Sequence, residues 1–172
     1  MNKLIVSLVF ILLSMVPKAL ADNTYVLGPG DKVEIKVYGQ EDLLTESLLG
    51  NSGTINYPFL GEIKVSGLSI KQLEALIYKG LKDGYFVEPN VNAQVTEYRP
   101  FYIHGEVKKP GAYPYQPSMT VNQAVALAGG LTERASEDKI LLFKEGNKES
   151  VPALLSTNVS PGDTITIEQR FF

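Results

Sequence analysis

The sequence predicts an α+β protein of two small domains. Three observations point there. Two helical patterns each open on a capping box, Ser69 with Gln72 and Thr120 with Gln123. Separate runs alternate apolar with polar residues, the period of a half-buried strand. Between the two sets stands Arg99-Pro100, where proline forces its predecessor into an extended conformation. The first domain is expected over 22–99 and the second over 100–170.

The N-terminus reads as a segment apart. Lys3 precedes an apolar stretch from Leu4 to Val16, broken only by Ser7 and Ser14, and Ala19-Leu20-Ala21 supplies small residues for cleavage. This is the pattern of a secretory signal peptide over 1–21, leaving Asp22 first after processing. A membrane anchor is the alternative, but the run is short for a span.

In the first domain, Gly28-Pro29-Gly30-Asp31 is a turn delivering the chain into a strand at Val33, Ile35 and Val37. Gly50-Asn51-Ser52-Gly53 is a loop, and extended pieces follow at Ile55 to Phe59 and at Ile63 and Val65, divided by Gly61. Ile70, Leu73, Leu76, Ile77 and Leu81 share one face of a helix capped by Ser69 and stopped by Gly84, with Lys71, Lys79 and Lys82 turned away. Val91, Ala93 and Val95 return as a strand.

The second domain opens with a strand over Phe101 to Val107. Lys109-Pro110-Gly111-Ala112 has proline and glycine where a type II turn wants them, and Tyr113 to Tyr115 is the partner strand. Val121 to Ala128 is a short helix ended by Gly129-Gly130, with Ala124, Ala126 and Ala128 letting it lie close on a sheet. Ile140 to Phe143 and Ile165 with Ile167 are further strands. The frame Pro-Gly-Asp-x-apolar-x-apolar occurs twice, from Pro29 and from Pro161, so Gly30, Asp31, Gly162 and Asp163 are expected to be structural turn residues, each Asp bonding a nearby backbone N–H.

Composition narrows the function. The net charge is −3, and losing Lys3 and Lys18 with the signal makes the rest more acidic, which argues against nucleic acid. With no cysteine there is no disulfide, no thiolate metal site and no lipidated N-terminal Cys, and Asp22 stands where that Cys would be. His104, the single histidine, sits in an apolar strand and lacks companions for a metal or catalytic site. Neither a nucleophile elbow nor a phosphate loop occurs, and Gly28-x-Gly30 fails as a dinucleotide fingerprint because Val33 stands where glycine is needed. No cofactor is expected. The carboxylate neighbours Glu41-Asp42 and Glu137-Asp138 lie in polar, loop-like stretches and read as solvated charges. An aromatic C-terminal Phe172 invites a membrane barrel, but two capped helices argue against one.

Nine tyrosines and no tryptophan leave one further signal. Tyr98, Tyr102, Tyr113 and Tyr115 cluster around the second domain's first hairpin. Rings with a polar tip suit a sugar or a subunit contact, for which Tyr102, Tyr113 and Tyr115 are the candidates, or else plain cross-strand packing.

Taken in order, the motifs resemble a known family. Tyr25 to Val37, Gly53 to Ile63 with Val65-Ser66-Gly67-Leu68-Ser69, and Pro89 to Val95 resemble the polysaccharide export domain. Val107 to Tyr113, Thr120 to Leu131 and Pro161 to Ile165 resemble a soluble-ligand-binding β-grasp (SLBB) domain. The resemblance implies a non-enzymatic, ring-forming periplasmic homo-oligomer that conducts capsular or extracellular polysaccharide toward the outer membrane. It further implies coupling to an inner-membrane polysaccharide co-polymerase. Larger relatives have an acylated cysteine and a C-terminal membrane helix. Asp22 and Ile167-Glu168-Gln169-Arg170-Phe171-Phe172 replace them here, so a separate outer-membrane protein is expected to complete the path, with this chain at most peripheral to that membrane. Two rivals stand beside this reading, a monomeric periplasmic glycan-binding module and a polysaccharide-modifying enzyme.

Overall fold

Val33, Ile35 and Val37 project from one side of strand β1 (Lys32–Val37) and are fully or almost fully buried. In the computed structural model, which describes residues 25–170, β1 is the centre of a three-stranded antiparallel sheet. The expected signal segment, Asp22 and Phe172 lie outside the described residues. On one side β1 pairs with β2 (Gln40–Leu48), Ile35 opposite Thr45, and on the other with β5 (Val91–Glu97), Ile35 opposite Ala93. A separate hairpin, β3 (Thr54–Tyr57) and β4 (Gly61–Lys64), adds Ile55 and Tyr57 to the same core.

Helix α1 (Ile70–Lys82) starts on the expected reciprocal cap. The Ser69 hydroxyl accepts from the Gln72 N–H, and the Gln72 carboxamide accepts from the Ser69 N–H. Leu73, Ile77 and Leu81 enter the core with the β1 residues. Each buried side chain contributes about 2 kcal/mol. Glu74 ties the helix to the sheet by accepting from the Ala93 N–H at 2.9 Å.

The second unit is a five-stranded mixed sheet in the order β7-β6-β10-β8-β9. Its strands are β6 (Phe101–Gly105), β7 (Gly111–Tyr113), β8 (Ala135–Phe143), β9 (Ser150–Ala153) and β10 (Thr164–Gln169). β6 and β10 run parallel, Ile103 beside Ile165, and the other pairs are antiparallel. Helix α2 (Val121–Leu127) lays Val121, Ala124 and Val125 on this sheet, completing the β-grasp arrangement. Its first free N–H groups are taken up by the chain at Leu155 and Thr157, whose carbonyls accept from Asn122 and Val121. Gly105 must be glycine: φ is +88°, and a Cβ there would sit 2.1 Å from the Ile167 carbonyl oxygen of β10.

The α+β class stands, and several local expectations do not. Gly111 is the first residue of β7 without a positive φ, so Pro110-Gly111 is no type II turn. β6 instead ends at Gly105, and the Lys108 and Lys109 N–H groups bond the carbonyls of Gly130 and Ala128. The partner strand is accordingly 111–113, and Tyr115 lies beyond it. Leu76 is turned to solvent, since the sheet reaches only the Leu73–Ile77–Leu81 line. Ala126 likewise faces outward, while Ala124 and Ala128 are buried. Glu41-Asp42 lies in β2 and Glu137-Asp138 in β8, not in loops. Consecutive strand residues point to opposite faces, so neither pair can close on one sugar bond.

Candidate functional site

The two Pro-Gly-Asp turns meet at the linker between the halves. Gly30 takes φ +94° and Gly162 φ +81°, and each delivers its aspartate into the interior. Asp31 is completely buried and its carboxylate accepts four hydrogen bonds. Two come from backbone, Gly28 N–H at 2.9 Å and Arg99 N–H at 2.9 Å. A third comes from Arg99 Nη1 at 2.7 Å and the fourth from the Tyr25 hydroxyl. Asp163 is almost as buried but has a smaller circle, Ser160 N–H at 2.8 Å and Lys144 Nζ at 2.7 Å. The neighbouring Gly162 N–H donates to the carbonyl of Pro100, and the Asp163 carbonyl accepts from Tyr102 N–H.

Arg99 bridges both units. Beyond Asp31 it donates Nε and Nη2 to Glu145 Oε2, at 3.0 and 2.6 Å, and Nη1 to the Tyr25 hydroxyl at 2.6 Å. Burial works against its charge, but the bond to Glu145 and the attraction of Tyr25, Asp31 and Glu145 outweigh that, holding the guanidinium above its ordinary range. Burial, then the hydrogen bond and charge of Asp31, push the Tyr25 phenol up, so it stays a donor. Gly162 makes room for the bridge, because a Cβ there would stand 2.5 Å from the Glu145 carboxyl carbon. A buried ion pair such as Arg99–Asp31 adds little net stability when intact, but breaking it strands a charge.

Three rings line up beside the bridge edge to face. Tyr25 and Tyr98 have centroids 5.0 Å apart, and Tyr98 and Tyr115 5.4 Å. They border a cleft of about 470 Å³, walled by Tyr25 and Arg99 on one side and by Tyr115, Lys144, Glu145 and Asn158 on the other. A second hollow at the β1–β2 turn, about 730 Å³, is bordered by Tyr38, Gln40 and Leu44 and involves no buried charge.

The structure separates the three candidate tyrosines. Tyr115 reaches the cleft. Tyr113 stacks on core residue Phe101, centroids 6.0 Å apart, and its hydroxyl donates to the Lys109 carbonyl at 2.6 Å. Tyr102 is half exposed on the outer face of β6, opposite in direction to buried Phe101 and Ile103. His104 shares that outer face, 3.0 Å from the Thr166 hydroxyl. Arg99, Glu145 and Asn158 were not legible as site residues. The only signal was the repeated turn, which marks both ends of the junction without naming what joins them.

Comparison with known proteins gives the same two parts. Residues 19–96 match the family described as polysaccharide biosynthesis/export protein, and residues 100–152 match the SLBB domain. The chain is 39% identical over 129 residues to the exopolysaccharide production protein ExoF of Rhizobium meliloti, covering 66% of this chain and 30% of that one. It is 29% identical over 126 residues to the polysialic acid transport protein KpsD of Escherichia coli, covering 72% and 23%. It is 27% identical over 161 residues to the EPS I polysaccharide export outer membrane protein EpsA of Ralstonia nicotianae, covering 86% and 42%. The chain thus spans less than half the length of each of these relatives.

Proposed function

Because this chain belongs to the polysaccharide biosynthesis/export family, we propose that it is a non-catalytic component of a capsular or extracellular polysaccharide export system. Its place in that system is the periplasm, where it assembles as a ring. The observation that carries the reading is the family's domain pair, present here as two separately cored units pinned at one linker. A conduit subunit needs its two tiers held at a constant angle, because closed rotational symmetry repeats any error in that angle at every interface.

We divide the chain at 22–99 and 100–170. The second domain runs past the SLBB match because β10, the partner of both β6 and β8, sits inside its sheet. Gly30, Asp31, Gly162 and Asp163 serve as structural turns, and no residue is assigned to catalysis. Tyr102, on an outer sheet face, is suited to a subunit contact, Tyr115 to a sugar, and Tyr113 to packing. No helix among the described residues is long and apolar enough to cross a membrane. A separate outer-membrane protein and an inner-membrane co-polymerase complete the proposed system as its partners.

Deletion of the gene should leave polymer within the cell envelope, and sedimentation of the purified protein should show a closed oligomer. Normal polymer at the cell surface in the deletion strain refutes the export role. A monomer at every concentration refutes the ring.

A further inference from the structure

We propose that the interdomain cleft is a subsite for a neutral, hydroxyl-rich sugar residue of the exported glycan. The inference rests on the export reading for the identity of the glycan but on the cleft alone for the chemistry.

A sugar ring asks for three things at once: an aromatic surface for its apolar face, and both donors and acceptors for its hydroxyls. The cleft offers all three. Tyr115 and Tyr25 are its aromatic lining, and the Tyr98 ring packs edge to face against both. Several polar groups on the cleft walls make no hydrogen bond within the described residues. They are the Tyr115 and Ser118 hydroxyls, the Asn158 carboxamide, and Glu145 Oε1, the oxygen that Arg99 leaves untouched. Lys144 Nζ gives two bonds, to Asp163 and Ser160, and keeps a third donor.

Charge selects among sugars. Arg99 and Lys144 are already matched by Asp31, Glu145 and Asp163, so the cleft carries a slight negative excess and offers no unpaired cation to a uronic or sialic acid. The walls are also held in place. Arg99 pins one side to the other, and Ser118 keeps a left-handed backbone, φ +65°, at the rim. For a non-glycine residue that conformation costs about 1–2 kcal/mol, a strain that surrounding structure must sustain.

The test is binding of short neutral oligosaccharides (gluco-, galacto- and manno-series) to the purified full chain, followed by calorimetry and by NMR of the backbone amides around Asn158. Uronic acid oligomers serve as the charged comparison. Saturable binding of at least one neutral series is expected, weakened about tenfold by Asn158→Ala and by Tyr115→Phe, with shifts confined to cleft residues. Both variants alter groups without internal partners, and circular dichroism checks that they fold. Absence of binding by every neutral series, tighter binding of the uronic oligomers, or affinity unchanged in both variants overturns the subsite. The outcomes separate from those of the export reading. Envelope-retained polymer in the deletion strain without sugar binding removes the cleft assignment only, and binding without an export defect removes the export role only.

Discussion

Replacing Asp31 by alanine should cost far more than replacing Asp163, although the two occupy the same place in the same sequence frame. Asp31 is fully buried and accepts from two backbone N–H groups, a phenol and a guanidinium whose side chain is only 10% exposed. Its loss leaves Arg99 buried with half its compensation and strands two N–H donors. Removing one member of such a pair costs about 3–5 kcal/mol. Asp163 holds one backbone N–H and Lys144, whose side chain is 41% exposed and can return to water. That loss should cost about 1–2 kcal/mol. In urea, where the slope for a domain of this size is about 2 kcal/mol per molar, a gap of about 2 kcal/mol separates the midpoints by about 1 M. Far-ultraviolet circular dichroism and tyrosine fluorescence, followed together, read the midpoints. Equal midpoints for Asp31→Ala and Asp163→Ala, or a lower one for Asp163→Ala, would refute the claim that burial of the Arg99 pair sets the difference.

Two further outcomes follow from the same geometry. Gly105→Ala should lower stability by more than the roughly 1–2 kcal/mol of left-handed backbone strain, because its methyl meets the fixed Ile167 carbonyl of the central strand; a thermal midpoint equal to wild type contradicts this. Tyr25 has a folded-state pKa raised above its unfolded value, so the stability it contributes is whole below about pH 10 and is lost as pH climbs beyond. The urea midpoint measured across alkaline pH should therefore fall more steeply for wild type than for Tyr25→Phe, and parallel curves would be the contrary finding.

Legibility in the sequence followed how local the determinant was. Both helices could be read because a capping box is complete within four residues. β1, β5 and β10 could be read because apolar residues alternate along them, buried at Val33, Ile35 and Val37 of β1 and at Ile165 and Ile167 of β10, and buried at Ala93 between half-buried Val91 and Val95 in β5. β2 and β9 were not. β2 buries Leu43 alone within its span, and its Glu41, Asp42 and Glu46 are the residues of an exposed edge. β9 is also an edge and carries Pro152, which a central strand would exclude. Pro110-Gly111 misled because the residue types suited a local turn, whereas the backbone there answers to carbonyls of Ala128 and Gly130 some twenty residues away. The Arg99 bridge lay furthest out of reach. Its carboxylate partners are 68 residues before it and 46 after it, and nothing in the neighbourhood of Arg99 states either separation.

The same bridge decides where this protein can be divided. The export-family match ends at residue 96, three residues short of Arg99. A fragment trimmed there would keep every apolar member of the first core and yet enclose an aspartate deprived of its cation. The first domain is thus self-sufficient in its oily interior but borrows its counter-charge from the connector, and any graft of it onto another partner must carry that arginine along.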